Sequence, residues 1–243
     1  MRILLLIIGF TLSQLVLADK VVKLTSLDWP PYSGKALNEQ GASVAVAKAA
    51  FAAMGYTLEV DFFPWSRAVS LAKSKGSAYA GYFPEYHSDA VAEEFTYSQP
   101  MGSGPLGFVE QSAKPVTWSS LDDLKSYRIG VVQDYVNTTD FDAMMNSGQL
   151  KTEAVISDKN NILKVVNGRL DLAVIDRNVM DYLFKTDKAL SGKEGKASFN
   201  GKLLEDKKLY ICFKKTPGGA EMAKIFNEGL KKIDVNAIMA KHI

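Results

Sequence analysis

Cysteine is nearly absent from this 243-residue chain: Cys212 stands alone, so no disulfide can form within one molecule. Histidine is as scarce, with only His87 and His242, and no His/Cys cluster has the spacing of a zinc site. An excess of one charge is missing too. Lys and Arg number 29 against 27 Asp and Glu, a net charge of +2. The basic residues are scattered, which removes the electrostatic case for a nucleic-acid partner. Nucleophile motifs are wanting. No G-x-S-x-G elbow occurs, and His87, Ser88 and Asp89 are adjacent in sequence where triad members must converge from separate segments. Gly102 to Gly107 matches G-x-G-x-x-G letter by letter, but it precedes its strand, and Pro105 spoils the helix start that a pyrophosphate needs. It reads as a turn. These absences leave no catalytic residue, metal or cofactor to assign.

Long apolar stretches are confined to the start. Met1-Arg2, then Ile3 to Leu17, then Val16-Leu17-Ala18 before Asp19 has the order of a signal peptide: a basic start, an apolar core and small residues before the cut. The stretch is short for a membrane span, and no cysteine near it offers a lipid anchor. The expectation is an exported, periplasmic protein, cleaved at Ala18 and soluble as a monomer. Cys212, inside the apolar run Leu209 to Phe213, reads as a buried small hydrophobe.

What is present is an α/β rhythm, at 47% hydrophobic and 23% charged residues an ordinary globular composition. Leu58, Val60 and Phe62 alternate on one strand face, and Pro64-Trp65 ends that strand. A helix follows with Ala68, Val69 and Ala72 inward, Gly76 stands at the expected cap, and a second strand runs to Phe83. Before this unit come a strand over 21–27 and a helix over 43–54. After it come a polar helical stretch over 85–94 and a strand over 104–110. A second α/β pattern has strands over 127–132, 152–156 and 170–175, with helices over 137–145, 160–166 and 178–184. Residues 190–205 read as loop, and a last strand (209–213) and helix (220–233) are left over. The fold expectation is therefore α/β with two lobes: residues 19–110 with 207–243 in the first, 111–206 in the second, and a crossing near 112–120.

Candidate ligand-binding residues are those at the carboxyl ends of these strands, where open α/β sheets bind ligands. Trp29 and Tyr32 lie on a loop stiffened by Pro30 and Pro31, and Trp65 on the loop after Phe62; packing beneath their loops is the other reading of all three. Arg67 falls in a first helical turn, where the helix dipole disfavours a cation, so it is either a ligand contact or a solvated surface group. Gln133, Tyr135 and Asn137 precede a helix N-terminus able to hold an anion. Asp176 ends the strand 170–175, as helix cap or as ligand contact.

Trp29-Pro-Pro-Tyr-Ser33, Pro64-Trp-Ser-Arg-Ala68, Phe95-Thr-Tyr-Ser-Gln-Pro100, Ser120-Leu-Asp-Asp-Leu-Lys125, Arg128-Ile-Gly-Val-Val132 and Asn167-Gly-Arg-Leu-Asp-Leu-Ala-Val-Ile-Asp176 occur in this order. Together they resemble the family 3 extracellular solute-binding proteins, in a divergent branch with P-W-x-R-A. The resemblance implies the type II periplasmic-binding-protein fold, two α/β lobes on a two-strand hinge, and a small polar solute clamped between them for an ABC-type permease. It also implies that Trp29 and Trp65 flank the ligand and that Asp176 meets an ammonium. One position departs: Val91 stands where amino-acid-binding members carry the arginine that forks onto the ligand carboxylate. Either Arg67 substitutes from the neighbouring helix or the ligand lacks an α-carboxylate. The other readings are an exported sensory module and a dehydratase-like enzyme on the same scaffold, for which Glu85 and His87 are the nearby acid–base candidates.

Cleavage at Ala18–Asp19 is the first testable outcome. Mass spectrometry of the secreted chain should find Asp19 at or within a residue or two of the N-terminus; a chain retaining Met1 would overturn the assignment.

Overall fold

The computed structural model describes residues 20–243; the signal-peptide assignment lies outside them. Two sheets organise the chain. The first is built from β1 (Lys20–Ser26), β2 (Tyr56–Phe62), β3 (Gly81–Glu85), β4 (Phe95–Tyr97) and β11 (Tyr210–Lys214), in the order β2-β1-β3-β11-β4. The second has β5 (Ser103–Gln111), β6 (Arg128–Val132), β7 (Lys151–Val155), β8 (Leu172–Asp176) and β10 (Glu205–Lys208), in the order β10-β5-β8-β6-β7, with β9 (Ala197–Phe199) also on β5. β1 runs parallel to β2 and β3, and β6 runs parallel to β7 and β8.

The connecting helices follow the hydrophobic spacing. They are α1 (Ala42–Ala52) and α2 (Trp65–Lys73) beside the first sheet, then α3 (Asp89–Glu94). α4 (Thr139–Asn146), α5 (Asp158–Val166) and α6 (Arg177–Thr186) serve the second, and α7 (Pro217–Leu230) with α8 (Val235–Met239) closes the chain. Against expectation, α3 starts only at Asp89, Glu85 being in β3, and α8 is a further short helix after the last one expected. Thr138, Ser157, Asp176 and Thr216 cap their helices by accepting backbone N–H bonds. Helix α2 ends earlier than expected. Its C-cap is Ser74 in an extended conformation, and Gly76 is not among the glycines with positive φ, so the left-handed cap assigned to Gly76 is not used.

Three other expectations change. β5, placed in the first lobe from sequence, pairs with β8, β9 and β10 of the second sheet. Its run Leu106–Glu110 is buried throughout, as in a central strand covered on both faces, and it has partners of the second sheet on both edges. Residues 207 and 208 likewise belong to β10 of that sheet. Third, part of the loop expected over 190–205 is strand β9. The chain therefore crosses between sheets at residues 98–102 and again at Leu209, not near 112–120. The crossings lie side by side: Met101 N donates to Leu209 O and Leu209 N to Gly102 O, both at 2.9 Å. The final strand β11 does return to the first sheet, between β3 and β4, and there Cys212 is fully buried among Ala72, Tyr82 and Phe95.

The closest helix contact has no room for a side chain. A Cβ on Gly229 of α7 would run into the backbone carbonyl of Ala50 on α1. Gly229→Ala should therefore cost about 1–3 kcal/mol by overpacking, lowering Tm by roughly 2–12 °C for a chain of this size. A thermal melt matching the parent would show that the two helices separate freely.

Candidate functional site

In both sheets the chain order reverses beside the first parallel strand. β2 lies on one side of β1 and β3 on the other; β7 lies on one side of β6 and β8 on the other. Loops leaving the carboxyl ends of strands diverge at such a point and open a crevice. Here the two crevices face one another. Trp29 and Tyr32 follow β1, Trp65 follows β2 and Tyr86 follows β3. From the opposite side come Tyr135 and Asn137 after β6, Asp158 after β7, and Asp176 with Asn178 at and after the end of β8.

Tyr32 is the junction. Its hydroxyl donates to the Asp176 carboxylate, with Oδ1 and Oδ2 at 3.1 and 3.0 Å, and accepts from Asn178 Nδ2 at 2.8 Å. Asp176 is 2% exposed. It serves at once as N-cap of α6, accepting from Asn178 N at 2.8 Å and Val179 N at 3.2 Å. The cap reading of this residue is thus observed, and the same carboxylate meets Tyr32 of the other lobe. Gly104 of β5 makes the meeting possible, because a Cβ there would collide with Asp176 Oδ2 and the Tyr32 hydroxyl.

Trp29 stacks on Tyr32 (centroids 4.6 Å apart, planes at 25°) and meets Tyr86 edge-on at 6.0 Å. Trp65 meets Tyr82 and Tyr135 edge-on at 5.3 and 5.9 Å, and its indole N–H donates to Asp134 O at 3.0 Å across the cleft. Ser66 Oγ donates to Asp134 Oδ2 at 2.5 Å. Asp134 holds a left-handed φ of 62°, a conformation that Asp adopts more readily than most residues.

Three acids are buried here, and burial raises each. Glu85, accepting from Tyr82 Oη and Tyr86 N, is pushed up to about 8. Asp158 rises to about 7, its shift tempered by the Trp29 indole, although Trp29 Nε1 itself makes no hydrogen bond within ordinary geometry among the described residues. Asp176 also rises to about 7, where the Val179 N–H and Tyr32 hydroxyl offset burial and the nearby Asp158 charge adds to it.

Two small cavities lie at the centre. One, of about 20 Å³, is lined by Trp29, Trp65, Glu85, Tyr86 and Tyr135 among others. The other, of about 10 Å³, adjoins Asn137, Asp158 and Asp176. Each has room for about one water. A larger cleft of about 670 Å³ opens beside them, lined by Trp29, Trp65, Ser66, Gln133, Tyr135 and Asp158, among others. That volume is in the range of roughly 300–1,000 Å³ typical of small-molecule sites.

The candidates from sequence divide accordingly. Trp29, Tyr32, Trp65, Gln133, Tyr135 and Asp176 are brought to this junction. Asn137 borders the small cavity, but its amide is tied to Asp142, with Nδ2 2.8 Å from Oδ1. Arg67 is not brought in: it is exposed, and its guanidinium lies 5.3 Å from the Phe63 ring centre. His87 is also exposed, tilted against Tyr97 at 4.7 Å. Val91 packs beside the Cys212 cluster. Sequence reading missed Tyr86, Asp158 and Asn178, placed Asp134 on the right loop without a role of its own, and weighed Glu85 only as an acid for the enzyme reading. The rule that found Trp65 and Asp176 applies equally to Tyr86 and Asp158, which also follow strands. Asp158 was lost because the helix was started at Asn160, two residues late. Among the described residues no group of three or more His, Cys, Asp or Glu side chains is placed to hold a metal ion.

No protein-family model matches the chain, and no curated protein matches it in sequence. Solved structures do. A histidine kinase sensor domain with similarity to periplasmic binding proteins is 19% identical over 93% of this chain and 96% of its own, with a TM-score of 0.76. An ancestral arginine-binding protein bound to arginine is 15% identical over 92% and 98%, TM-score 0.72. The substrate-binding protein of an amino acid ABC transporter is 15% identical over 92% and 99%, TM-score 0.69. The likeness is one of fold: this chain has the two-lobed α/β fold of the periplasmic binding proteins, as its resemblance to the family 3 solute-binding proteins implies.

The raised acids set a pH dependence. Unfolded Asp and Glu titrate near about 3.9 and 4.3, while Asp158, Asp176 and Glu85 are held up to about 7, 7 and 8. Between those limits the folded chain binds more protons than the unfolded one, so stability falls as pH rises. Melts in solute-free buffer should give a higher Tm at pH 5 than at pH 8, with a flatter profile in Asp158→Asn. A Tm that climbs over this interval would contradict the burial of these acids.

Proposed function

We propose that this protein is an exported solute-binding module that closes its two lobes on a small polar solute and presents it to an ABC-type permease. The supporting observation is the junction itself: aromatic and polar side chains from the strand ends of both sheets converge on one cleft and bond across it, Tyr32 to Asp176 and Trp65 to Asp134. Groups so divided between lobes meet a common ligand only when the lobes close, which is how hinged binding proteins couple capture to shape. Trp29, Trp65, Gln133, Tyr135 and Asp158 are the proposed contacts. Arg67 is left out because it faces Phe63.

A second reading is supported by the structural likeness to a kinase sensor domain: the same closure would report the solute to a signalling partner instead of a permease. Both readings make the chain a receptor and assign it no chemistry. The enzyme reading would rest on Glu85, the acid pushed highest, at about 8.

A thermal-shift screen of polar metabolites tests the receptor reading. A bound solute at one hundred times its Kd should stabilise the chain by about 2.7 kcal/mol, and small-angle scattering should show no expansion on binding. Recovery of the solute unchanged supports the receptor. Consumption of the solute would favour the enzyme, and a screen without any saturable shift would remove the binding function.

A further inference from the structure

The 670 Å³ cleft has unusual chemistry for a site that is to hold an amino acid. Its aromatic lining is Trp29, Phe62, Phe63, Trp65 and Tyr135. Its charged lining is Asp28, Asp158 and Asp187 against a single lysine, Lys159, and Lys159 Nζ is already 3.3 Å from Asp187 Oδ2. Asp28 accepts from Lys35 N at 2.8 Å. That leaves Asp158. It is 7% exposed, and among the described residues no cation lies within ion-pair distance of it or of Asp176.

A second observation comes from neighbouring polar atoms. The Tyr86 hydroxyl is buried without a hydrogen-bond partner among the described residues and can accept from a cationic N–H. The Trp29 indole N–H, also unpaired by ordinary geometry, is a donor only and favours the ionised Asp158. Both residues are more than nine-tenths buried, and both line the small cavity that Asp158 and Asp176 also line. Lys207 does not answer the charge. Its Nζ lies 5.5 Å from the Tyr86 ring centre and is paired with Glu205 at 3.5 Å. On the opposite count, the arginine that would take a carboxylate is absent: Val91 is packed beside the Cys212 cluster and Arg67 faces Phe63.

We propose that the cleft takes an organic cation, an alkylammonium or guanidinium solute, with its charged head at Asp158 among the rings of Trp29, Trp65 and Tyr135, and with no carboxylate required. The assignment rests on the solute-binding reading and names its ligand class. A buried carboxylate without a partner is costly, and a ligand cation restores its pairing. Electron-rich ring faces attract the same cation, most strongly where water is excluded. An anion entering the cleft would meet Asp28 and Asp158, and the one lysine there is already held by Asp187. Asp158 is held up to about 7, so a proton competes with the ligand. The other titratable groups lining the cleft and the small cavity with it are Asp28, Tyr86, Tyr135, Lys159, Asp176 and Asp187.

Calorimetric titration of the purified chain with choline, 1,4-diaminobutane and agmatine, beside γ-aminobutyrate and succinate, decides the matter. At least one of the three cations should bind saturably, more tightly at pH 8 than at pH 6 and with proton release near pH 7, while succinate gives no heat of binding. Asp158→Asn should weaken that cation by roughly tenfold or more. Trp65→Leu, on a half-buried residue, should weaken it by about threefold to thirtyfold and stands in if Asp158→Asn fails to fold. Wild-type affinity in a folded Asp158→Asn chain overturns the assignment. So does succinate or γ-aminobutyrate binding as tightly as any cation, which would leave the solute-binding reading intact. Failure of all three cations up to millimolar concentration also overturns it, and only the additional failure of the whole metabolite screen would remove the receptor.

Discussion

The bond from the Tyr32 hydroxyl to the Asp176 carboxylate is the contact on which the arrangement of the cleft depends. Tyr32 belongs to the loop after the first strand of one sheet and Asp176 to the end of a strand in the other, 144 residues away. Joining them brings two crevices, each formed where strand order reverses, into one site. Asp176 is also fixed from behind as the cap of α6, so its carboxylate cannot turn away from the cleft without freeing helical N–H groups. Gly104 keeps the space between the partners clear. A hydrogen bond to a buried charged group is worth more than a surface one, roughly 1.5–3 kcal/mol.

The electrostatics of the site follow from the same geometry. Each strand end that enters a crevice brings a polar terminus into a space lined by aromatics, and three of those termini are acids. Closely spaced buried acids raise one another, which is why the Asp158 charge adds to the shift of Asp176. Stability and ligand preference are therefore in tension at this site. Ionising the acids weakens the fold and, under the proposed cation assignment, readies the cleft for its ligand. Such opposition is common where a protein reserves charge for a partner instead of satisfying it internally.

Much of the molecule was legible in the sequence. The alternation at Leu58, Val60 and Phe62, the helical spacing in α2, and the caps Thr138 and Asp176 follow from local rules, and local rules need only a few neighbouring residues. The loops bearing Trp29, Trp65 and Tyr135 were legible because strand ends are where open α/β sheets bind ligands. Strand membership was less so. β5 is apolar enough to suit either sheet, and only its partners β8, β9 and β10 decide between them. The three-residue strand β9 is too short to show a period at all.

What the sequence determined by itself was the class of the fold, most of the elements and the set of loops from which a site could be drawn, because periodicity, turn chemistry and capping act over distances of a few residues. Tertiary structure alone decided which of those side chains meet. It brought Asp158 to Trp29 and placed Val91 in an apolar cluster with Cys212, whereas Asn137 meeting Asp142 and Arg67 meeting Phe63 are contacts within five residues. The first depends on how the two sheets meet across the crossings at residues 98–102 and Leu209, and the second on the strand order of the first sheet. Side-chain charge is written in the sequence, but whether a charge is paired, buried or left facing a cleft is a property of the packed whole.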